Sequence, residues 1–206
     1  MNEIIRAYLL YTKANLSCLP CRADKSPLLS RSWKEQFKTE DFEGAAYIGI
    51  KCGDYSDGLI CMDFDNHQND AHNNLKTFLE IPEVNEIYAK YKLPVESTQN
   101  GGYHLLFRTD TRLKNKKLAS RMVNGKQDCF IEIKAQDGYF VSSPSPKYKV
   151  VRNDITKIAK LNSIETAYLI DNALSMNECF EKIKTEYEGD MRPGDQFNRD
   201  VSLSEI

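Results

Sequence analysis

The chain has 206 residues, 41% hydrophobic and 28% charged, with a formal net charge of −2. That makeup fits one folded domain, or one domain with an appended segment, and excludes a disordered or collagen-like chain. The near-neutral charge excludes binding to nucleic acid by bulk basicity alone, and no apolar run reaches the ~18 residues of a membrane span.

The opening MNEIIRAYLLYTKAN has neither the basic n-region nor the small-residue cleavage site of a signal peptide and reads as an amphipathic helix. A cytoplasmic protein with no membrane partner is expected. LPCRADKSPLLSRSWKEQF then reads as a loop, with two prolines and the only tryptophan. The six cysteines are scattered, and buried thiols account for them in a reducing compartment. CLPC at 18–21 has the CxxC spacing, but no second CxxC and no nearby HxxxH completes four ligands, so no zinc is expected.

AAYIGI (45–50) and GLICMDF (58–64) read as strands joined by the turn-rich KCGDYSD. Residues 70–91 are helical in pattern, with Leu75, Phe78 and Leu79 on one face and Pro82 restarting a second helix. YHLLFR (103–108), CFIEIK (129–134) and YFVSS (139–143) are strand-like, and Tyr148 to Val151 adds another. From about Ile155 the pattern is helical, with LNSIETAYLIDNAL and NECFEKIKTEYEG as two candidates. Strands and helices are mixed without strict alternation, which predicts an α+β domain with a largely antiparallel sheet.

Chemistry concentrates in three of these segments. In ICMDFDN, Asp63 and Asp65 fall on one strand face, opposite Ile60, Met62 and Phe64. Two neighbouring carboxylates repel, and a divalent cation would turn that repulsion into coordination. Solvated aspartates at a strand end are the competing account of the pair alone. In CFIEIK, strict alternation places Phe130, Glu132 and Lys134 together, so Glu132 offers a third carboxylate, with Lys134 to balance the charge or meet a phosphate. A surface Glu–Lys pair is the bland alternative. His104 opens a strand directly after Gly101 and Gly102, which allow a ligand close approach to the backbone. His67 and His72, in a polar, Asn-rich helix start, read as solvated. Between Asp110 and Asp128 the chain has no acid but carries Arg112, Lys114, Lys116, Lys117, Arg121 and Lys126. That stretch could track a phosphate backbone, or be a solvated basic loop.

In their order, DKSP followed by Trp33, then SDGLICMDFD, STQNGGYHLLF and FIEIKAQDGYFVSSPS resemble the bifunctional primase-polymerase domain of the archaeo-eukaryotic primase superfamily. The resemblance implies an RRM-like catalytic sheet with flanking helices and a small accessory α/β unit over 1–153. Residues 154–206 would be a helical segment leading into a longer protein, in which a helicase could follow; GDMRPGDQFNRD (189–200) resembles the start of the helical region after such domains. It further implies that Asp63, Asp65 and Glu132 hold two Mg²⁺ or Mn²⁺ ions, and that His104 contacts the phosphates of an incoming nucleotide. Lys25, Lys134, Gly101, Gly102 and the Ser143-Pro144-Ser145 block would line the nucleotide site. DNA template, primer and nucleoside triphosphates are the implied partners.

Two other readings stay open. Asp…Glu-x-Lys (Glu132, Lys134) also fits a metal-dependent nuclease, in which Lys134 would position the attacking water. Tyr103 and Phe107 at alternating positions fit a non-catalytic RRM-like nucleic-acid-binding module, although three acids on the sheet would repel a phosphate backbone unless metal screened them.

Overall fold

The computed structural model describes residues 2–29 and 32–179. Helix α1 (Glu3–Lys13) starts where the Asn2 side chain accepts the Ile4 N–H, and buries Ile4, Ala7 and Tyr11 along one stripe. There follow strand β1 (Cys18–Cys21), a 3-10 turn (Thr39–Phe42), β2 (Tyr47–Lys51), a second 3-10 turn (Asp54–Ser56) and β3 (Leu59–Phe64). Helices α2 (Ala71–Glu80) and α3 (Pro82–Tyr91) lead to β4 (Val95–Ser97), β5 (Tyr103–Thr109), β6 (Lys116–Val123) and β7 (Lys126–Lys134). The chain continues through β8 (Tyr139–Ser142), β9 (Lys149–Arg152), β10 (Lys160–Leu161) and α4 (Ser163–Ser175). The class is α+β, and the strand pairs are antiparallel apart from the short parallel pairing of β10 with β5.

Two sheets form. The smaller has the order β1-β2-β8, and the larger runs β6-β7-β3-β5-β4-β9 with β10 beside β5. Period-2 alternation assigns the two faces of the larger sheet. Ile60, Met62, Phe64, Leu105, Phe107, Ile131 and Ile133 join the core that also contains Leu75 and Phe78 of α2, Val84 and Ile87 of α3, and Leu169 and Ala173 of α4. Leu59, Cys61 and Leu106 face the other way, into a second core with α1 and the smaller sheet. The large sheet is therefore the middle of three layers, and its far end on the small-sheet side carries Asp63 and His104.

Four strands depart from expectation, among them β10 (Lys160–Leu161), which falls in the stretch after Ile155 read as helical. CLPC, read as loop, is β1; Pro20 is tolerated because β1 is an edge strand, paired only with β2. β4 was not anticipated, being three residues long between Pro94 and a turn. The basic stretch is half strand: Lys116–Val123 forms a hairpin with β7 through Asn124-Gly125, both at positive φ (50° and 75°). Two successive register shifts in that hairpin leave Leu118 and Phe130 unpaired, and both are buried in the helix-side core. Phe130 therefore does not share a face with Glu132 and Lys134 as alternation alone predicts.

Beyond α4, the Asn177 side chain accepts the Ser120 N–H, and the Ser120 carbonyl accepts the N–H groups of Glu178 and Cys179, covering part of the outer edge of β6. Residues 177–179, the start of the NECFEKIKTEYEG segment read as helical, are not helical, and the rest of that segment and the GDMRPGDQFNRD block lie outside the described residues. Among the described residues no helix is long and apolar enough to cross a membrane. Cys18 and Cys21, three apart on a strand, point to opposite faces, and both thiols are pushed up by burial, Cys21 to about 12. Such a pair cannot chelate one ion from this strand.

Candidate active site

One row of side chains crosses five strands. Direct pairing sets Glu96 opposite His104, His104 opposite Asp63, Asp63 opposite Glu132, and Glu132 opposite Lys117. Asp65, two residues beyond Asp63, projects from the same face. The alternation seen in the sequence thus delivers the carboxylates, and register delivers their neighbours. Ligand oxygens of Asp63, Asp65 and Glu132 all lie within 4.8 Å of one another. A set of carboxylate oxygens alone suits a hard divalent cation better than zinc.

The electrostatics fit a cation-seeking site. Burial pushes the Asp63 carboxyl up, with Glu132 adding to the shift and His104 opposing it. Burial, then Asp63, raises Asp65 to about 6. Burial alone would lower the Lys134 pKa, but its hydrogen bond to Glu132, joined by the charges of Glu132 and Asp63, holds it above its ordinary value. The three acids lie close enough to repel one another, and a bound cation would relieve that repulsion.

His104 is buried but for an edge that reaches the adjoining cavity. Its Nε2 stands 3.7 Å from Asp63 Oδ1 and its Nδ1 3.1 Å from Glu96 Oε2. The ring meets Phe140 edge-on, with centroids 5.0 Å apart, and Tyr148 at 6.1 Å. Burial would lower its pKa, but Asp63 and the Glu96 hydrogen bond win and raise it. A charged imidazole with Nε2 toward the acids is a suitable ligand for a phosphate oxygen.

Beside the row lies a cavity of ≈ 320 Å³ lined by Lys25, Asp63, Asp65, Gly102, His104 and Tyr148, among others. Lys25 reaches it from a tight loop closed by the Arg22 N–H to the Ser26 carbonyl (2.8 Å), with Lys25 itself at φ 70°. Tyr139 of β8 donates to the Lys25 carbonyl, and the Lys25 amine lies 5.7 Å from the Tyr148 ring centroid. Gly102 packs so closely that an added Cβ would sit 2.6 Å from the Phe64 carbonyl oxygen, between the two aspartates. Gly101, at φ 82°, forms the turn against Asn66.

Other expected residues are engaged elsewhere. The Ser145 hydroxyl is buried on the Ile48 backbone, while Ser143 gives its N–H to Glu96 and its carbonyl to Tyr11. Neither serine lines the cavity. Arg121 is bound to Asp70 and Asp128 and stacks over Phe130 at 4.8 Å, so its guanidinium is committed within the fold. Arg112, Lys114, Lys116, Lys117 and Lys126 are exposed. Tyr103 and Phe107 belong to the helix-side core rather than to the acidic face. His67, read as solvated, is exposed as expected, and it also borders the cavity with its Nδ1 2.8 Å from Asp128.

Glu96, Thr98, Asn100 and Tyr148 were not singled out in the sequence. Only their distance in front of GGYH or behind the SPS block could have marked them, and that distance carries no chemical signature.

The fold and site together define an α+β domain with a three-carboxylate, metal-capable centre opening on a cavity that also holds Lys25 and His104. The family model of the bifunctional DNA primase/polymerase, N-terminal domain, matches residues 8–164 of the 206, well over half the chain, and the chain belongs to that family. No curated relative matches it.

Proposed function

We propose that this protein is a DNA primase/polymerase of a replication system, joining nucleotides from nucleoside triphosphates to a primer end or a first nucleotide on a DNA template. The observation that carries the reading is the row His104–Asp63–Glu132 with Asp65, which sets a three-carboxylate cluster directly beside the His104 imidazole. Two Mg²⁺ or Mn²⁺ ions held by Asp63, Asp65 and Glu132 would supply Lewis-acid stabilisation of the attacking and leaving oxygens. Lys134 holds Glu132 in place, and His104 and Lys25 grip the triphosphate from the opposite wall. Strand order β7-β3-β5-β4, with α2 and α3 between β3 and β4, supports the RRM-like description of the catalytic sheet. The exposed lysines of β6 would follow the template or primer backbone without reading sequence.

Primed template, labelled dNTPs and Mn²⁺ or Mg²⁺ test the reading. Primer extension is expected with the wild-type protein and should vanish in Asp63→Ala/Asp65→Ala. Shortening of the strand would instead establish the nuclease, for which the Lys134–Glu132 contact is the favouring observation. Binding without turnover would reduce the protein to a nucleic-acid-binding module.

A further inference from the structure

Glu96 is 1% exposed, yet it is an acid inside the protein, on a three-residue strand. A carboxylate is buried at considerable cost unless its lone pairs are filled. Here they are filled from three directions. Its Oε1 accepts the Ser142 hydroxyl at 2.9 Å and the Ser143 backbone N–H, while Oε2 faces His104 Nδ1 at 3.1 Å. Since a carboxylate has no proton to give, Nδ1 must be the donor, and Nε2 is left toward Asp63 and the cavity. Ser142 and Ser143 come from the end of β8, on the other sheet, so Glu96 is clamped by an element that does not belong to its own sheet.

We propose that Glu96 is a positioning residue for His104, fixing the ring's orientation through the Nδ1–H bond to its Oε2 so that Nε2 is turned toward Asp63 and the cavity in which a triphosphate would sit. The proposal rests on the polymerase reading for its ligand but not for the contact itself. Phe140 and Tyr148 restrict the ring plane, and neither can choose between its two flipped orientations; the hydrogen bond from Nδ1 to Glu96 Oε2, with Asp63 near Nε2 on the other side, can.

Glu96→Gln preserves shape and tests the point. Three donors then face one amide oxygen. The Ser143 N–H is fixed by the backbone, so the oxygen stays on that side and the NH₂ is turned toward Nδ1. The ring must then accept at Nδ1, with its one proton on Nε2, and the bond to a carboxylate that fixed its orientation becomes a weaker neutral one. With Mn²⁺ and dTTP on a primed template, KM for dTTP is expected to rise about tenfold, a loss of ~1.4 kcal/mol in binding, with kcat changed less than threefold. Glu96→Asp, which keeps the charge on a shorter arm, should fall between. A residue acting only through His104 adds nothing once the ring is gone, so Glu96→Gln/His104→Ala should match His104→Ala in KM. Nitrogen-15 NMR of wild-type protein should show a protonated, slowly exchanging Nδ1 that Glu96→Gln loses. If Glu96→Gln does not fold, Glu96→Asp carries the same cycle.

Additive KM penalties, or an unprotonated Nδ1 in the wild-type protein, would overturn the proposal. Failure of the wild-type protein to bind dTTP, with the Nδ1 proton in place, would refute the polymerase reading and leave the hold of Glu96 on His104 standing.

Discussion

Replacing Asp65 with asparagine should make the metal-free protein more stable. The Asp65 carboxyl is raised from 3.8 to about 6 by burial and by Asp63. A carboxyl raised in the folded state stabilises the fold fully below its unfolded pKa, and that contribution is lost as pH rises through the folded value. The loss for Asp65 therefore runs from about pH 4 to about pH 6 and is complete at pH 7.5. A shift of roughly two units corresponds to about 3 kcal/mol. The side chain is 31% exposed, and solvent screening reduces the figure to about 1–2 kcal/mol. For a chain of this size that is roughly 3–6 °C in Tm. Thermal unfolding in EDTA, read by circular dichroism from pH 4 to pH 8, should place Asp65→Asn above wild type at pH 7.5, the two converging at the acid end. Adding Mn²⁺ should raise wild-type Tm and move the variant much less. A variant no more stable than wild type in EDTA at pH 7.5 would refute the account of the site as strained by its own charge.

Gly102→Ala should disturb the two aspartates from behind, because the new methyl meets the Phe64 carbonyl at 2.6 Å and backbone must shift. We expect a destabilisation of about 1–3 kcal/mol and at least tenfold slower primer extension; wild-type extension would mean that the β3–β5 spacing is not critical. Lys116→Ala/Lys117→Ala should weaken primer–template binding in a fluorescence-anisotropy titration and lower the slope of log K against log salt by up to about 2. An unchanged slope would remove β6 from the nucleic-acid path.

The acids were legible because strand alternation is a local rule: ICMDFDN and CFIEIK disclose which residues share a face without knowledge of any partner strand. His104 was legible through the glycines before it. Which row meets which was not, since register depends on turns and bulges spread along the chain, and the unpaired Phe130 shows one bulge overriding alternation within the site strand itself. β6 was masked by its lysines, which protect an exposed edge, although Asn124-Gly125 is a hairpin signal that could have revealed it. Glu96 was hidden for another reason. Its meaning lies wholly in partners from β5 and β8, and VES offers neither periodicity nor a motif.

The connection of the two sheets has a kinetic consequence. β1 and β2 form the first two strands of the small sheet, but its third, β8, comes only after β3 to β7 of the large one. A chain emerging from the ribosome therefore holds all three carboxylates before it holds Ser142 and Ser143, the clamp on Glu96. The metal-capable half of the centre can be assembled while the histidine still lacks its mount, and closing β8 onto β2 joins segments separated by the whole catalytic sheet. The complete Ser142–Glu96–His104 arrangement is thus among the last features the polypeptide acquires, and an incompletely folded chain has its acids without a fixed histidine beside them.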